Sequence, residues 1–150
     1  MQNFQTSSVA PTPGSMEFLT FSLGREEYAM SIQQVQEIRS YEKPTHIATA
    51  PEHVKGVINL RGAIVPIHDL RLKLQSGEAV YDSTTAIIIA SVNQNTFGFV
   101  VDRVSDVLAL DESQKHPVPQ FGAGNIDYIT GLGVIDDRTL TLVDAARLAN

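Results

Sequence analysis

Residues 54–71, VKGVINLRGAIVPIHDLR, decide the fold of this chain because they consist of two apolar runs of strand length joined by a tight turn. Residues 56–58 and 63–67 are strongly apolar, and the segment between them includes Gly62, which takes a positive φ without steric cost. The stretch therefore predicts a buried β-hairpin. It also places Arg61 at the hairpin tip, where a guanidinium is a well-positioned fork for a carboxylate.

Most of the remaining chain also consists of short apolar runs with the alternation of β-strands. These runs occupy residues 17–24, 28–32, 84–92, 96–104 and 139–144. Apolar spacing predicts one helical turn near residues 32–35 and a short helix at residues 145–149. Closely spaced short strands with many turn residues are typical of small barrels or a sandwich, and not of a parallel α/β sheet.

The chain also repeats itself. Gly56 aligns with Gly131 and, at the same offset, Asp69 aligns with Asp144 without a gap, while residues 35–38 align with residues 104–107. The repeat predicts two related β-subdomains that share a core, because each half alone is small for a stable domain. Residues 1–15 are rich in Ser, Thr, Pro, Gln and Asn and are expected to form a mobile tail, leaving residues 16–150 as the folded part.

The composition excludes several classes of protein. With 43% hydrophobic and 19% charged residues, the chain has enough apolar material for a packed core. The formal net charge of −6 argues against a nucleic-acid partner, which would require a basic face. Cysteine is absent, which excludes disulfides and cysteine-based zinc sites. With no signal peptide and no apolar stretch of about 18 residues, we expect a soluble intracellular protein without membrane insertion.

The histidines do not predict a metal site. The four of them lack the spacing of ligands on one strand or helix, and we interpret them as surface or half-buried side chains: His46, His53, His68 and His116. Phosphate-binding glycine loops and nucleophile motifs are also missing, so no cofactor is expected.

The two aspartates that the repeat aligns, Asp69 and Asp144, admit two interpretations. A two-lobed acid hydrolase would need each Asp in a tight loop, followed by a small residue and a glycine, and neither Asp has these followers. An Asp between a strand and a short helical segment is a good N-cap, and capping is the role that we predict.

Arg61 likewise admits two interpretations. A polar residue at a hairpin tip often faces water and does nothing further. An arginine on a rigid apolar hairpin could instead be pre-organised by an internal carboxylate, and Glu37 is the candidate partner.

Four segments together resemble the CheW coupling proteins of bacterial chemotaxis: residues 17–38, 54–71, 104–110 and 128–144. The resemblance covers residues 17–149 and implies an all-β fold with short helices, made of two intertwined five-stranded SH3-like β-barrel subdomains that the internal repeat relates. It also implies a non-enzymatic cytoplasmic scaffold, which links the cytoplasmic tip of transmembrane chemoreceptors to the regulatory domain of the histidine kinase CheA beneath receptor arrays.

The resemblance assigns residues to two surfaces. Arg61 matches an arginine of the receptor-binding face, with Glu37 as its expected partner. The further positions matched to that face would line an apolar groove between the subdomains or pack in the core: Val35, Gly56, Gly98, Val104 and Val107.

The kinase-facing surface would include His116, Gln120 and Phe121. His116 and Gln120 stand where some family members carry Arg and Glu, so the ion pairs of those members are not expected here. Phe121 would pack against the kinase domain, or would serve as a lid on the second barrel.

Three further hypotheses remain open at this point. The chain could be a paralogue that serves a non-flagellar chemosensory pathway, such as one for surface motility or gene regulation, or a module detached from a larger protein. From another class, a small acid hydrolase would lose activity when Asp69 or Asp144 is changed to Asn, whereas a scaffold would lose only stability.

Overall fold

The computed structural model describes residues 15–74, 80–119 and 127–149. The expected tail lies outside these residues except for Ser15, as do the expected kinase-facing residues Gln120 and Phe121.

The described part of the chain forms eleven strands and two short helices. The strands are β1 (Met16–Leu23), β2 (Glu26–Ser31), β3 (Val35–Ser40), β4 (Val54–Leu60), β5 (Ala63–Asp69), β6 (Ala86–Val92), β7 (Asn95–Val101), β8 (Arg103–Leu110), β9 (Lys115–His116), β10 (Ile129–Ile135) and β11 (Arg138–Val143). The helices are α1 (Leu70–Lys73) and α2 (Ala145–Leu148), and single 3₁₀ turns occupy Ile32–Gln34 and Glu112–Gln114. In this part of the chain no helix is long and apolar enough to cross a bilayer.

The hairpin predicted from residues 54–71 is present as β4 and β5. Leu60 pairs with Ala63, which leaves a loop of Arg61 and Gly62 with φ angles of 51° and 92°. Two central residues with positive φ are what a tight two-residue hairpin requires, since the turn then matches the twist of the strands. The Asn59 side chain closes the turn by accepting a hydrogen bond from the Gly62 N–H at 2.8 Å.

The strands form two sheets, each curled into a small barrel. Barrel I has the strand order β3-β6-β7-β5-β4, and barrel II has the order β8-β1-β2-β11-β10-β9. The prediction of an all-β fold with two small barrels is therefore confirmed. Barrel I has the expected five strands, whereas barrel II gains a sixth, the two-residue strand β9. The sequence did not reveal that each half of the chain contributes its opening hairpin to the other barrel. Hairpin β6–β7 joins β5 in barrel I through a parallel pair, and hairpin β1–β2 joins β11 in barrel II in the same way.

The core has three parts, which follow from this exchange. Seven buried residues fill barrel I: Ile58, Leu60, Val65, Ile67, Ile87, Ile89 and Val100. Six fill barrel II: Phe18, Ala29, Leu108, Leu110, Leu140 and Leu142. The largest cluster, the shared core, lies between the barrels and includes Phe21 and Met30 from barrel II and Ile88 and Phe99 from barrel I. Strands β1 and β6 bury side chains on both faces, because one face fills a barrel and the other packs in the shared core.

The capping prediction for the two aligned aspartates is confirmed. Asp69 precedes α1 and accepts from the Arg71 N–H at 3.0 Å, and Asp144 precedes α2 and accepts from the Arg147 N–H at 3.0 Å. A carboxylate at the N-cap satisfies an N–H that the helix leaves without a partner.

The expected helical turn near residues 32–35 is present as the 3₁₀ turn, but Val35 itself begins strand β3.

Arg71 is a fully buried arginine that the sequence analysis missed. Its guanidinium pairs with Asp69 at 3.0 Å and with Asp102 at 3.1 Å, and it lies over the Tyr81 ring with 4.7 Å between the guanidinium carbon and the ring centroid. Two carboxylates and an aromatic face compensate the loss of hydration of the buried charge. Because Asp102 also accepts from the Gly24 N–H at 2.6 Å, the cluster ties the β1–β2 turn to the loop before β8.

The interpretation of all four histidines as surface or half-buried residues is wrong for His68, which is buried on β5. Its ring lies 5.7 Å from that of His53 and 5.8 Å from that of Phe99, and its Nδ1 has no hydrogen-bond partner among the described residues. Burial, together with the positive charge of Lys73, lowers the pKa of His68 to about 4.

We therefore expect acid to destabilise the fold through His68. Because its pKa is lower in the folded chain than in the unfolded chain, the unfolded chain binds more protons between pH 6.5 and 4. The free energy of unfolding has its full value above this window. It decreases as the pH falls through the window, by about 2–3 kcal/mol near the lower end. Urea unfolding of the wild type and of His68→Phe across the window measures this contribution. Parallel pH dependences of the two proteins would contradict it.

Candidate functional site

The hairpin tip of barrel I carries the ion pair that the sequence analysis proposed. Arg61 Nη2 donates to Glu37 Oε1 at 2.5 Å, and Arg39 Nη1 approaches the other oxygen of Glu37 at 3.5 Å. The Arg61 side chain is 65% exposed, whereas that of Glu37 is 11% exposed. The pair therefore consists of a sheltered carboxylate and a guanidinium that still faces solvent.

The electrostatics of the pair favour the charged forms of both groups. The hydrogen bond from Arg61 lowers the pKa of Glu37, and the same bond raises the pKa of Arg61. Glu37 lies on β3, an outer strand of barrel I, whereas Arg61 follows β4, the other outer strand of that sheet. The ion pair thus joins the two outer strands across the opening of barrel I.

An open hollow of about 830 Å³ surrounds this pair, lined by residues 36–42 and Arg61. Arg39 also binds Glu42 at 2.9 Å, which extends the charged groups along the edge strand. The contacts of Arg39 were missed in the sequence analysis, although its separation from Glu37 and Glu42 in the chain was a signal that could have revealed them.

Val35 and Val104 occupy equivalent positions at the edge of the shared core. Both are partly buried and pack against that core from β3 and β8 respectively, whereas Val107, also on β8, is 2% exposed and belongs to the core itself. The structure thus groups Val35, Glu37 and Arg61 on barrel I and Val104 and Val107 on barrel II, with the shared core between them.

The two glycines expected at the receptor-binding face are both buried. A Cβ on Gly56 would lie 1.9 Å from the Thr45 carbonyl oxygen, and a Cβ on Gly98 would lie 2.4 Å from Ile67 Cδ1. Thr45 approaches Gly56 because it exchanges two backbone hydrogen bonds with Val57, at 2.8 and 2.9 Å. Both glycines therefore act through packing inside barrel I.

The same contact explains the glycine of the repeat. Gly131, which aligns with Gly56, would place a Cβ 3.0 Å from the carbonyl oxygen of His116. His116 lies on β9, which pairs with β10 as Thr45 pairs with β4. Each barrel thus has a glycine where the returning chain crosses the last hairpin. An added Cβ would collide with the backbone at Gly56 and would be only tightly accommodated at Gly131.

His116 is exposed on β9, an outer strand of barrel II, whereas Arg61 is at the tip of the last hairpin of barrel I. It lines an open hollow of about 430 Å³ together with Met16, Phe18 and Leu142 from barrel II and the polar side chains of Gln34 and Asp144. The proposed kinase contact and the Arg61 group thus belong to different barrels and line different hollows.

Neither aligned aspartate has the environment of a catalytic acid. Asp69 is fully buried and its carboxylate is occupied by Arg71 and by the Tyr81 hydroxyl at 2.8 Å. Asp144 accepts from Gln34 at 3.0 Å and from the Arg147 N–H. Their contacts are separate and structural. Among the described residues no three side chains of His, Asp or Glu are grouped so as to hold a metal ion.

Comparison with known proteins places these features in a family. The family model described as the CheW-like domain matches residues 17–150. The chain belongs to the CheW-like family. It is 47% identical over 143 residues to the chemotaxis protein CheW of Klebsiella aerogenes, an alignment covering 95% of this chain and 86% of that one. It is 34% identical to the CheW of Rhizobium meliloti over 89% of this chain and 86% of that one.

The fold agrees with a CheW of known structure. The scaffolding protein TtCheW from Thermoanaerobacter tengcongensis has a TM-score of 0.80 at 30% identity, with 85% of this chain and 88% of that chain covered. The resemblance seen in the sequence is thus confirmed, as are its implications of an SH3-like two-barrel fold and of a CheW-type adaptor in chemotaxis. CheW proteins are non-enzymatic scaffolds, and the hydrolase hypothesis is therefore wrong for this chain.

The packing of Gly56 generates a prediction about stability. Gly56→Ala should destabilise the fold by roughly 3 kcal/mol or more, because its φ of 143° is unfavourable for alanine and the new Cβ would collide with a backbone carbonyl. Gly62→Ala is the matched control, since its φ is also positive but nothing lies within 4 Å of the added atom. It should cost about 1–2 kcal/mol. Chemical unfolding measures both, and equal losses would contradict the packing argument.

Proposed function

We propose that this chain couples the cytoplasmic tip of a transmembrane chemoreceptor to the regulatory domain of the histidine kinase CheA. The coupling is stoichiometric and needs no chemistry on this chain. The receptor recruits the protein from the cytoplasm to membrane-associated arrays, and a change in receptor conformation reaches the kinase through contacts that both partners make with the two barrels.

The receptor-binding face consists of the Arg61 group and the edge of the shared core. The observation that carries this proposal is the Glu37–Arg61 pair, because Glu37 is sheltered while the guanidinium remains mostly exposed. An arginine held in place by an internal carboxylate loses less side-chain entropy when it binds a further acceptor. One terminal nitrogen of Arg61 binds Glu37, and the described residues supply no other partner for its guanidinium.

The apolar part of the face is supplied by Val35 and Val104, which the shared core leaves partly open. A receptor helix with an apolar stripe and a carboxylate beside it has the matching chemistry, since helix recognition uses an apolar groove with a polar rim. Val107 is buried beneath this surface in the shared core. Gly56 and Gly98 contribute indirectly, because they allow the close packing of barrel I.

The kinase contacts a surface that includes His116 on β9, together with Gln120 and Phe121. The hollow beside His116 supports this assignment, since Met16 and Phe18 supply apolar surface and Gln34 supplies a polar group there. Separate surfaces for the receptor and the kinase are what a coupling protein requires, because it must hold both partners at once.

Kinase autophosphorylation in receptor-containing membranes tests the proposed function. Receptor-dependent activation that appears only when this protein is added would support coupling. A folded protein that has no effect with several receptors would contradict it and would favour the paralogue hypothesis.

Arg61→Glu should leave the fold intact and abolish coupling. The substitution places two carboxylates together at the hairpin tip and removes the guanidinium offered to the receptor. We expect the affinity for receptor membranes to fall by about tenfold or more, with thermal unfolding almost unchanged, because an exposed ion pair contributes little to stability.

Arg25→Glu is the matched control for this test. It makes the same change of charge at another exposed hairpin turn, between β1 and β2, and should bind receptor membranes as the wild type does. Unchanged receptor affinity of folded Arg61→Glu, or an equal loss in Arg25→Glu, would contradict a specific role for Arg61.

Phe121→Ser should weaken assembly with the kinase and leave receptor binding intact, because truncating an aromatic anchor removes apolar contact area. Co-sedimentation with receptor membranes, with and without the kinase, separates the two effects. If thermal stability falls by several degrees in the absence of any partner, Phe121 serves the core of barrel II and not the kinase contact.

A further inference from the structure

The two halves of the chain carry a β-bulge at the same position of the repeat. In barrel II, Leu19 pairs with Val107 and Phe21 pairs with Val104, so that Thr20 alone opposes two residues of β8. In barrel I, Val35 pairs with Ala90 and Glu37 pairs with Ile89, which leaves one extra residue on β3. A bulge adds a residue to one strand and changes which face the following side chains occupy.

The bulge in β8 determines where its two valines point. Val104 and Val107 are three residues apart, and in a regular strand residues at that spacing face opposite sides. Here both pack with the shared core, because the extra residue restores them to the same side. The exposure of Val104 at the edge of the shared core therefore depends on the bulge.

A polar clamp holds this bulge. Thr20 is fully buried, and its Oγ1 accepts a hydrogen bond from the Asp106 N–H at 3.1 Å and donates to Asp106. On the outer side, Arg138 Nη1 and Nη2 donate to the Asp106 carboxylate at 3.3 and 3.4 Å. Arg138 is itself fixed by Glu27, with Nη2 donating to Oε2 at 2.8 Å.

The electrostatics agree with this geometry. Burial alone would raise the pKa of Asp106, but the hydrogen bonds from Thr20 and Arg138 outweigh it and hold the pKa below its usual value. The carboxylate therefore stays charged and keeps both partners at neutral pH.

The bulge in β3 lacks the inner half of such a clamp. At the offset that aligns Val35 with Val104, Thr20 aligns with Ile89, which has no hydroxyl. Glu37, the counterpart of Asp106, is bound by side chains alone, chiefly the exposed Arg61. The bulge in β8 is thus held by a buried hydroxyl of the neighbouring strand, whereas the bulge in β3 is held by an exposed side chain.

We propose that Thr20 and Arg138 are positioning residues, which clamp the β8 bulge at Asp106 and so set Val104 at the edge of the shared core for contact with the partner helix. The partner contact rests on the proposed function above, whereas the clamp stands on the described contacts. In this proposal Thr20 and Arg138 act through the bulge and not by contacting the partner.

Thr20→Val tests the clamp, because it keeps the shape of the side chain and removes the hydroxyl. Amide hydrogen exchange in the full chain reports on the bulge without any partner. We expect the Asp106 amide to exchange at least about tenfold faster in Thr20→Val, since loss of a hydrogen bond of about 1.4 kcal/mol corresponds to that factor. Thr20→Ser retains the hydroxyl and should restore slow exchange.

Thr85→Val is the matched control. Thr85 is also buried, but its hydroxyl binds the turn at Asp82, away from β8. It should destabilise the fold to a similar extent and leave exchange at Asp106 unchanged. Arg138→Gln is a second variant, for use if Thr20→Val fails to fold. It removes the outer hydrogen bonds of the clamp, and Arg138 is partly exposed.

Binding to receptor membranes then tests whether the clamp affects contact with the partner. The affinity should fall several-fold in Thr20→Val and Arg138→Gln, recover in Thr20→Ser and remain unchanged in Thr85→Val. Unchanged exchange at Asp106 in both clamp variants would overturn the clamp. Faster exchange with unchanged affinity would overturn its role in positioning Val104. If wild-type protein itself fails to bind while the exchange results hold, the proposed function fails and the clamp remains.

Discussion

The exchange of hairpins between the two halves is the constraint on which the rest of the structure depends. Neither half can complete a barrel alone, because each barrel needs the hairpin that the other half supplies. Strands β1 and β6 consequently have no solvent-facing side and must bury apolar side chains on both faces. The shared core is the result, and it links the stability of one barrel to that of the other through side chains such as Phe21 and Phe99.

The same constraint explains why the surface next to the shared core suits a coupling protein. Val35 and Val104 belong to different barrels but pack against one cluster, so a partner bound to both would touch both barrels next to their shared core. A scaffold acts by holding its partners and not by catalysis. The charged groups that a catalytic interpretation would use, Asp69 and Asp144, cap helices instead.

The two halves of the repeat share their strand arrangement but differ in their polar contacts. Gly56 and Gly131 lie where the returning chain crosses the last hairpin in each barrel, although the approach is much closer at Gly56. Elsewhere the halves differ: the buried Arg71 aligns with Ala146, Arg61 aligns with Asp136, and Thr20 aligns with Ile89. At these aligned positions, the exposed arginine lies in barrel I and the buried hydroxyl lies in barrel II. These differences give the two ends of a nearly symmetric molecule different chemistry.

Local pattern in the sequence determined the strands, the tight turn at Gly62 and the capping role of Asp69 and Asp144, because each depends on neighbouring residues or on a short repeat. The pairing of Glu37 with Arg61 was predicted from the arginine at the hairpin tip and from the family resemblance. The motif blocks indicated the CheW family as well. Only the tertiary structure decided the exchange of hairpins, the burial of Arg71 and His68, and the bulges that place Val104 and Val107 on one side. These features arise from strand pairings between distant residues, and alternation along a single strand carries no information about which strand lies beside it.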